Sequence, residues 1–176
     1  MNEFQILINN RRSIRSFTGA PLPTEALKEI ITCGMHAPSA HNKQPWVFLS
    51  IREREKLLQL SSVCRWWGML QTAGAVIVTC CDERLMGDFP AEFFTDSCAA
   101  ATENMLLAAH SMGLGGVWLG VCEGSEFYMQ FCNLIGLPPH LRVTSMIALG
   151  NPAEEKEFTK RFDPAKWVQE RFQYSI

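Results

Sequence analysis

No cysteine pair stands at CxxC spacing in this chain of 176 residues, and no Cys/His group has the spacing of a zinc site. His36 and His41 are too loosely spaced for a helical metal pair, so no metal site is expected. The seven cysteines are odd in number and mostly sit among apolar neighbours, which excludes a disulfide framework and points to reduced core thiols in a cytoplasmic protein. No GxxxxGK[ST] and no GxSxG occurs. GxGxxG also fails, because Trp118 takes the third glycine position of "GLGGVWLG". Charged residues are only 19%, the formal net charge is -2 and the pI is about 6.1, so no basic field calls for nucleic acid or an anionic membrane. The start "MNEFQILINNRR" lacks a basic stretch leading into an apolar core and does not read as a signal peptide. Residues 104–122 carry no Asp, Glu, Lys or Arg, but Asn104, His110, Ser111 and four glycines break the run. We read it as a buried helix end, a glycine turn and a buried strand, not a membrane span.

What is present is the pattern of one mixed α and β domain, 1–176, without repeats or linkers. Residues 2–10 place Phe4, Leu7 and Ile8 on one helical face. "PLPTEALKEIITCGMHA" predicts a helix capped by Thr24 and ended by Pro38. The same proline rule predicts an extended Gln44 before Pro45, with a strand at 46–51. "EREKLLQLS" predicts a short helix, and "AVIVTCC" (75–81) a strand buried on both faces. Residues 95–113 form the longest helical pattern, and Ala99, Ala100 and Ala101 would let another helix approach closely. "GGVWLGV" and "VTSMIALG" predict two further strands on either side of a helical "SEFYMQFCNLIG". The tail from Pro152 mixes charge with isolated rings (Phe158, Phe162, Trp167, Phe172, Tyr174) and has no period of its own. Such a stretch needs another surface to receive its rings, and a second subunit is the natural one.

Three clusters could carry chemistry. Arg11, Arg12, Ser13 and Arg15 put guanidinium forks and a hydroxyl where a dianion could be held, although a solvated basic turn has the same composition. The loop "PSAHNKQPW" offers donors and acceptors at Ser39, Asn42 and Gln44, as a flat heteroaromatic edge requires, or as a self-stabilised Asx turn would use. Lys160 and Arg161 form a basic pair in the tail.

Taken in order, "RRSIRSF", "PSAHNKQPW", "AAATENMLLAA", "GLGGVWLG" and "ALGNPAEE" with its following "KR" closely resemble the FMN-dependent nitroreductase family over almost the whole chain. The resemblance implies an α+β nitroreductase fold, three-layer α-β-α around a central, mostly antiparallel sheet. It also implies an intertwined homodimer in which residues 152–176 embrace the partner, with FMN at the subunit interface. By the same resemblance Arg11, Ser13, Lys160 and Arg161 hold the FMN phosphate and nearby ribityl oxygens, with Arg12 adjoining. Arg15 sits by the pyrimidine edge, Pro38, Ser39 and Asn42 arrive from the other subunit, and Gly120 and Val121 bring backbone to the reactive edge of the ring. The implied reaction is ping-pong transfer from NADH or NADPH through FMN to nitroaromatic, quinone or related conjugated acceptors, with no catalytic side chain. Alternatives are a flavin carrier or regulatory dimer, or a relative acting on flavin, haloaromatics or enones. One region departs from the pattern: where many relatives place an amide or Lys at the pyrimidine edge, this chain reads "RWWGMLQ". Arg65 or Gln71 substitutes there, or the contact is missing, and Trp66 and Trp67 either wall the substrate pocket or pack in the core.

Overall fold

The computed structural model describes residues 1–172, so Tyr174 lies outside the described residues. Among the described residues nine α-helices and β-strands follow one another: α1 (Glu3–Asn10), α2 (Thr24–Met35), β1 (Trp46–Ile51), α3 (Arg54–Val63), β2 (Ala75–Asp82), α4 (Ala91–Ser111), β3 (Gly115–Leu119), α5 (Tyr128–Ile135) and β4 (Leu141–Gly150). The strands make one sheet in the order β1-β2-β4-β3, every neighbouring pair antiparallel.

All eight residues of β2 are buried, as a continuous apolar run at the centre of a covered sheet requires. Successive side chains point to opposite faces. Val76, Val78 and Cys80 therefore join Leu57 and Leu60 of α3, Trp67 of the turn between α3 and β2, and Phe131 of α5 in one core. Ala75 and Ile77 join Leu27, Ile30, Met105 and Leu106 in another, from α2 and α4. Two helical layers thus sandwich the sheet, which is the three-layer α+β architecture expected. Packing of α2 on α4 depends on a glycine as well as on alanines. A Cβ on Gly34 would stand 2.8 Å from Met105 Cγ and 3.3 Å from the carbonyl of Ala101, itself fully buried.

Three local expectations are corrected. Thr24 does not cap α2: Pro23 occupies that position with no side-chain cap, and Thr24 is already inside the first turn, because proline's fixed φ suits the entry to a helix. The long helix starts at Ala91, ahead of Thr95, since Pro90 sets its entry in the same way. Gln44 is not extended before Pro45. Its φ is +48°, and His41 and Asn42 share the left-handed region at +51° and +53°. Local hydrogen bonds override the proline bias there. The Gln44 N–H donates to Ser39 Oγ at 3.0 Å, and its side-chain amide donates to Asn42 Oδ1 at 3.0 Å.

Candidate functional site

The strip 11–18 is pinned to the sheet by its apolar members. Ser13 makes a parallel bridge to Gly116 and Phe17 an antiparallel one to Pro152. The Ile14 N–H donates to the Gly116 carbonyl at 3.1 Å, and the Thr18 N–H donates to the Asn151 carbonyl at 3.0 Å. Phe17 is buried, and Ile14 packs where a Cβ on Gly115 would come within 2.8 Å. Inward Ile14 and Phe17 thereby present the arginines of "RRSIRSF" at the protein's rim.

At the start of this strip Arg11 and Arg12, with Lys160 and Arg161 of the tail, line one cavity of about 430 Å³ together with Phe158 and Phe162. Arg11 faces Glu103 at 3.4 Å. Arg12 is committed to the backbone: it donates to the carbonyls of Asn9 (2.6 Å), Arg11 (2.8 Å) and Glu157 (3.1 Å), and its guanidinium lies over the Phe158 ring at 5.7 Å. It fastens the start of the tail to the end of α1. Its Nη2 is buried without a hydrogen-bond partner among the described residues, an unmet donor at the margin of a cationic cavity. Nearby, burial first and then the charges of Arg11 and Arg12 hold the His110 pKa below the ordinary histidine range.

Arg15 and Gly120 line a different, larger cleft of about 670 Å³, walled by Arg65, Trp66, Met69, Trp118 and Phe127. A Cβ on Gly120 would meet nothing within 4 Å, so the backbone there is open to a flat ligand. The two neighbouring tryptophans have opposite fates: Trp67 is 1% exposed and Trp66 is 67% exposed. Of Arg65 and Gln71, only Arg65 lines this cleft. Val121 is half-buried against the core cluster that contains Trp67 and Phe131.

The loop residues lie elsewhere in the single chain. Pro38 and Ser39 border a separate concavity with Phe93 and Ser97 of α4. Asn42 is occupied with Gln44, and His41 stacks on Phe89 at 4.1 Å. Left-handed non-glycine residues cost free energy, about 1–3 kcal/mol each, and persist where surrounding structure fixes them.

A residue without an assigned role in the sequence completes the arrangement. Glu154, from "NPAEE", accepts the backbone N–H groups of Arg15 at 2.6 Å and Ser16 at 3.1 Å, and pairs with Lys156 at 2.6 Å. It therefore holds the backbone from which Arg15 projects. The signal for it was a carboxylate just beyond a strand-ending Asn-Pro. Its pKa is held below the ordinary glutamate value, first by Lys156 and then by the Arg15 N–H. A group depressed in the folded state contributes stability that is complete above its unfolded pKa, about 4.3, and is lost as the pH falls through that value and below. Glu154→Gln is therefore expected to flatten the acid limb of a Tm-versus-pH curve and to leave its neutral limb sloping as before.

The family model for the nitroreductase family matches residues 8–67 and 54–151, which together include the strip, the loop, the cleft and all four strands of the sheet. The chain belongs to the nitroreductase family. A provisionally named NADH dehydrogenase/NAD(P)H nitroreductase of Archaeoglobus fulgidus is 39% identical over 175 residues, 98% of this chain and all of that one. The NADPH-flavin oxidoreductase of Vibrio harveyi is 32% identical over 99% of this chain and 75% of its own length. Among solved structures, a provisionally named nitroreductase of Desulfovibrio desulfuricans in complex with FMN superposes with a TM-score of 0.83 at 32% identity, covering 98% of this chain and 99% of that one. Like these relatives, this nitroreductase-family chain is an α+β protein. Among its described residues no helix is long and apolar enough to cross a membrane, and no group of three or more His, Cys, Asp or Glu could hold a metal ion.

Proposed function

We propose that the protein is an FMN-dependent oxidoreductase that passes electrons from NADH or NADPH to nitroaromatic, quinone or related conjugated acceptors, and that it works as a homodimer. The observation that carries this reading is the strip 11–18, whose Arg11 and Arg12 line a cationic cavity and whose Arg15 lines an aromatic cleft that also includes Gly120. An aromatic ring with a phosphate on a short chain needs those two environments side by side. The unpartnered Arg12 Nη2 and the open backbone at Gly120 fit such a group.

In this reading Arg11, Arg12, Lys160 and Arg161, with the Ser13 hydroxyl, hold the phosphate end. Arg15, kept in place by Glu154, offers its charge at the ring edge, and Gly120 and Val121 bring backbone against the ring. Pro38, Ser39 and Asn42 reach the cofactor of the partner subunit, which accounts for their distance from the cleft within one chain. When bound, FMN supplies the hydride and electron transfer itself. The chain's residues bind, orient and exclude water; no side chain is required as nucleophile or base. Donor and acceptor share one open cleft and must use it in turn, which gives ping-pong kinetics. Trp67 is withdrawn into the core, so the tryptophan pair does not close the cleft, and this supports turnover rather than flavin storage. The seven free thiols support a reducing, cytoplasmic setting.

The test starts with the protein's chromophore. Denaturation should release about one FMN per chain, and anaerobic NADH or NADPH should bleach the flavin absorbance. Arg11→Ala should weaken FMN binding by about 1.5–3 kcal/mol, the scale of a charge-assisted hydrogen bond, and riboflavin binding much less. Equal losses for the two flavins would remove Arg11 from the phosphate site.

A further inference from the structure

The wall of the larger cleft carries a feature to which the cofactor reading above gives no role. The residues after Cys64 form a 3-10 turn, Arg65–Gln71, kinked at Trp67. Trp67 is its anchor: the ring meets Phe127 and Phe131 edge-on at 5.1 and 5.2 Å, inside the core. An anchored Trp67 fixes where its neighbours point. Trp66 is left in the cleft wall, and the Arg65 guanidinium lies over its ring at 4.4 Å. Trp118 adds a second indole from the sheet, 38% exposed.

The charge of this wall is one-sided. Arg15 and Arg65 both line the cleft, no Asp or Glu does, and neither guanidinium has a carboxylate within 4.0 Å among the described residues. An exposed indole surface with an unneutralised cation stacked on it favours a flat ring that carries an anionic group. The ring stacks on the aromatics, and the anion meets the guanidinium fork. Stacking on Trp66 leaves the Arg65 N–H edges free for a bidentate partner, because a cation–π contact uses the guanidinium's face.

Resting on the oxidoreductase reading above, we propose that the cleft selects planar aromatic acceptors bearing a carboxylate or sulfonate, with Trp66 as the stacking surface and Arg65 as the anion-binding, specificity-determining residue. Arg65 then serves the acceptor and not the pyrimidine edge of the cofactor.

The experiment compares a naphthoquinone sulfonate with the neutral methylnaphthoquinone of the same ring. Dissociation constants are measured first with no electron donor, by quenching of tryptophan fluorescence, and kcat/KM follows with NADH or NADPH. The FMN-loaded protein should favour the sulfonate about tenfold or more. Arg65→Gln should bring that ratio to within about twofold, and Trp66→Ala should weaken both quinones alike. Equal affinities in the unaltered protein, or a ratio unchanged in Arg65→Gln, overturn the proposal. So does a loss of FMN affinity in Arg65→Gln, which would give the guanidinium to the cofactor. If the unaltered protein takes up no FMN, the oxidoreductase reading fails by itself. The donor-free binding ratio, measured then on the protein as purified, still decides this one.

Discussion

A chain ended after Glu157 is expected to purify colourless and monomeric. Up to that residue the tail is tied to the body. The Ala153 N–H donates to the Ser16 carbonyl at 2.9 Å, Glu154 binds the Arg15 and Ser16 N–H groups, and the Glu157 carbonyl accepts from Arg12. Ending there keeps those contacts and removes only the segment from Phe158 onward. In that segment the rings Phe158, Phe162, Trp167 and Phe172 are each more than 60% exposed in the single chain. Full burial of an aromatic removes roughly 150–250 Å² from water at about 25 cal/mol per Å², so the still-exposed part of each ring offers on the order of 3 kcal/mol to any surface that receives it. Fixing the tail costs about 1–2 kcal/mol per residue in backbone entropy, so docking needs a large and complementary partner surface. A second copy of this chain provides one in the proposed homodimer. Lys160 and Arg161 leave with the same segment, so the cationic cavity loses half of its four basic side chains. Light scattering and flavin absorbance on the shortened protein read both effects. A dimer that kept full FMN would make the tail a solvated appendage.

Trp67→Ala is expected to be the most destabilising single change in the wall of the cleft, at about 3–5 kcal/mol. The ring is fully buried and leans on Phe127 and Phe131, so its loss leaves a cavity that two rigid aromatics cannot fill. Trp66→Ala, one residue away, should cost less than about 1 kcal/mol, since it gives up only an exposed ring and its contact with Arg65. Urea unfolding of the two variants checks the contrast. The midpoint should fall sharply for Trp67→Ala at an unchanged m value and barely move for Trp66→Ala. Similar midpoints would contradict the opposite burial of the pair.

That contrast also marks what a sequence can reveal. Adjacent tryptophans are identical in composition and hydropathy, and the kink at Trp67 that sends one inward depends on α5, which lies far along the chain. The regular elements were legible because their periods are local: the apolar run of β2, the helical faces of α2 and the long α4. Their starts were less so at Thr24 and Thr95, where the preceding proline had already set the helix entry. Gln44 was misread because a local rule for residues before proline took no account of Ser39 and Asn42 reaching back to it. In the site, the arginines were legible as a cluster. Their division between two cavities was not, since that depends on Ile14 and Phe17 docking onto strands that come much later. Glu154 was visible only as part of a motif, because its partners are backbone N–H groups at the other end of the chain.

The two bridges that hold the arginine strip, Ser13 to Gly116 and Phe17 to Pro152, each join segments separated by most of the chain. Closing such loops is slow, and folding rates fall as contacts become more distant in sequence. During synthesis α1 and the strip emerge before β3 and β4, the segments to which the strip is bridged. Until then β2, apolar at nearly every position, lacks the neighbour β4 that covers its second edge. The segment that carries Arg11 to Arg15 is therefore made well before the strands that set it in place, and chains halted before β4, with the apolar β2 edge uncovered, are expected to aggregate more readily than the finished protein.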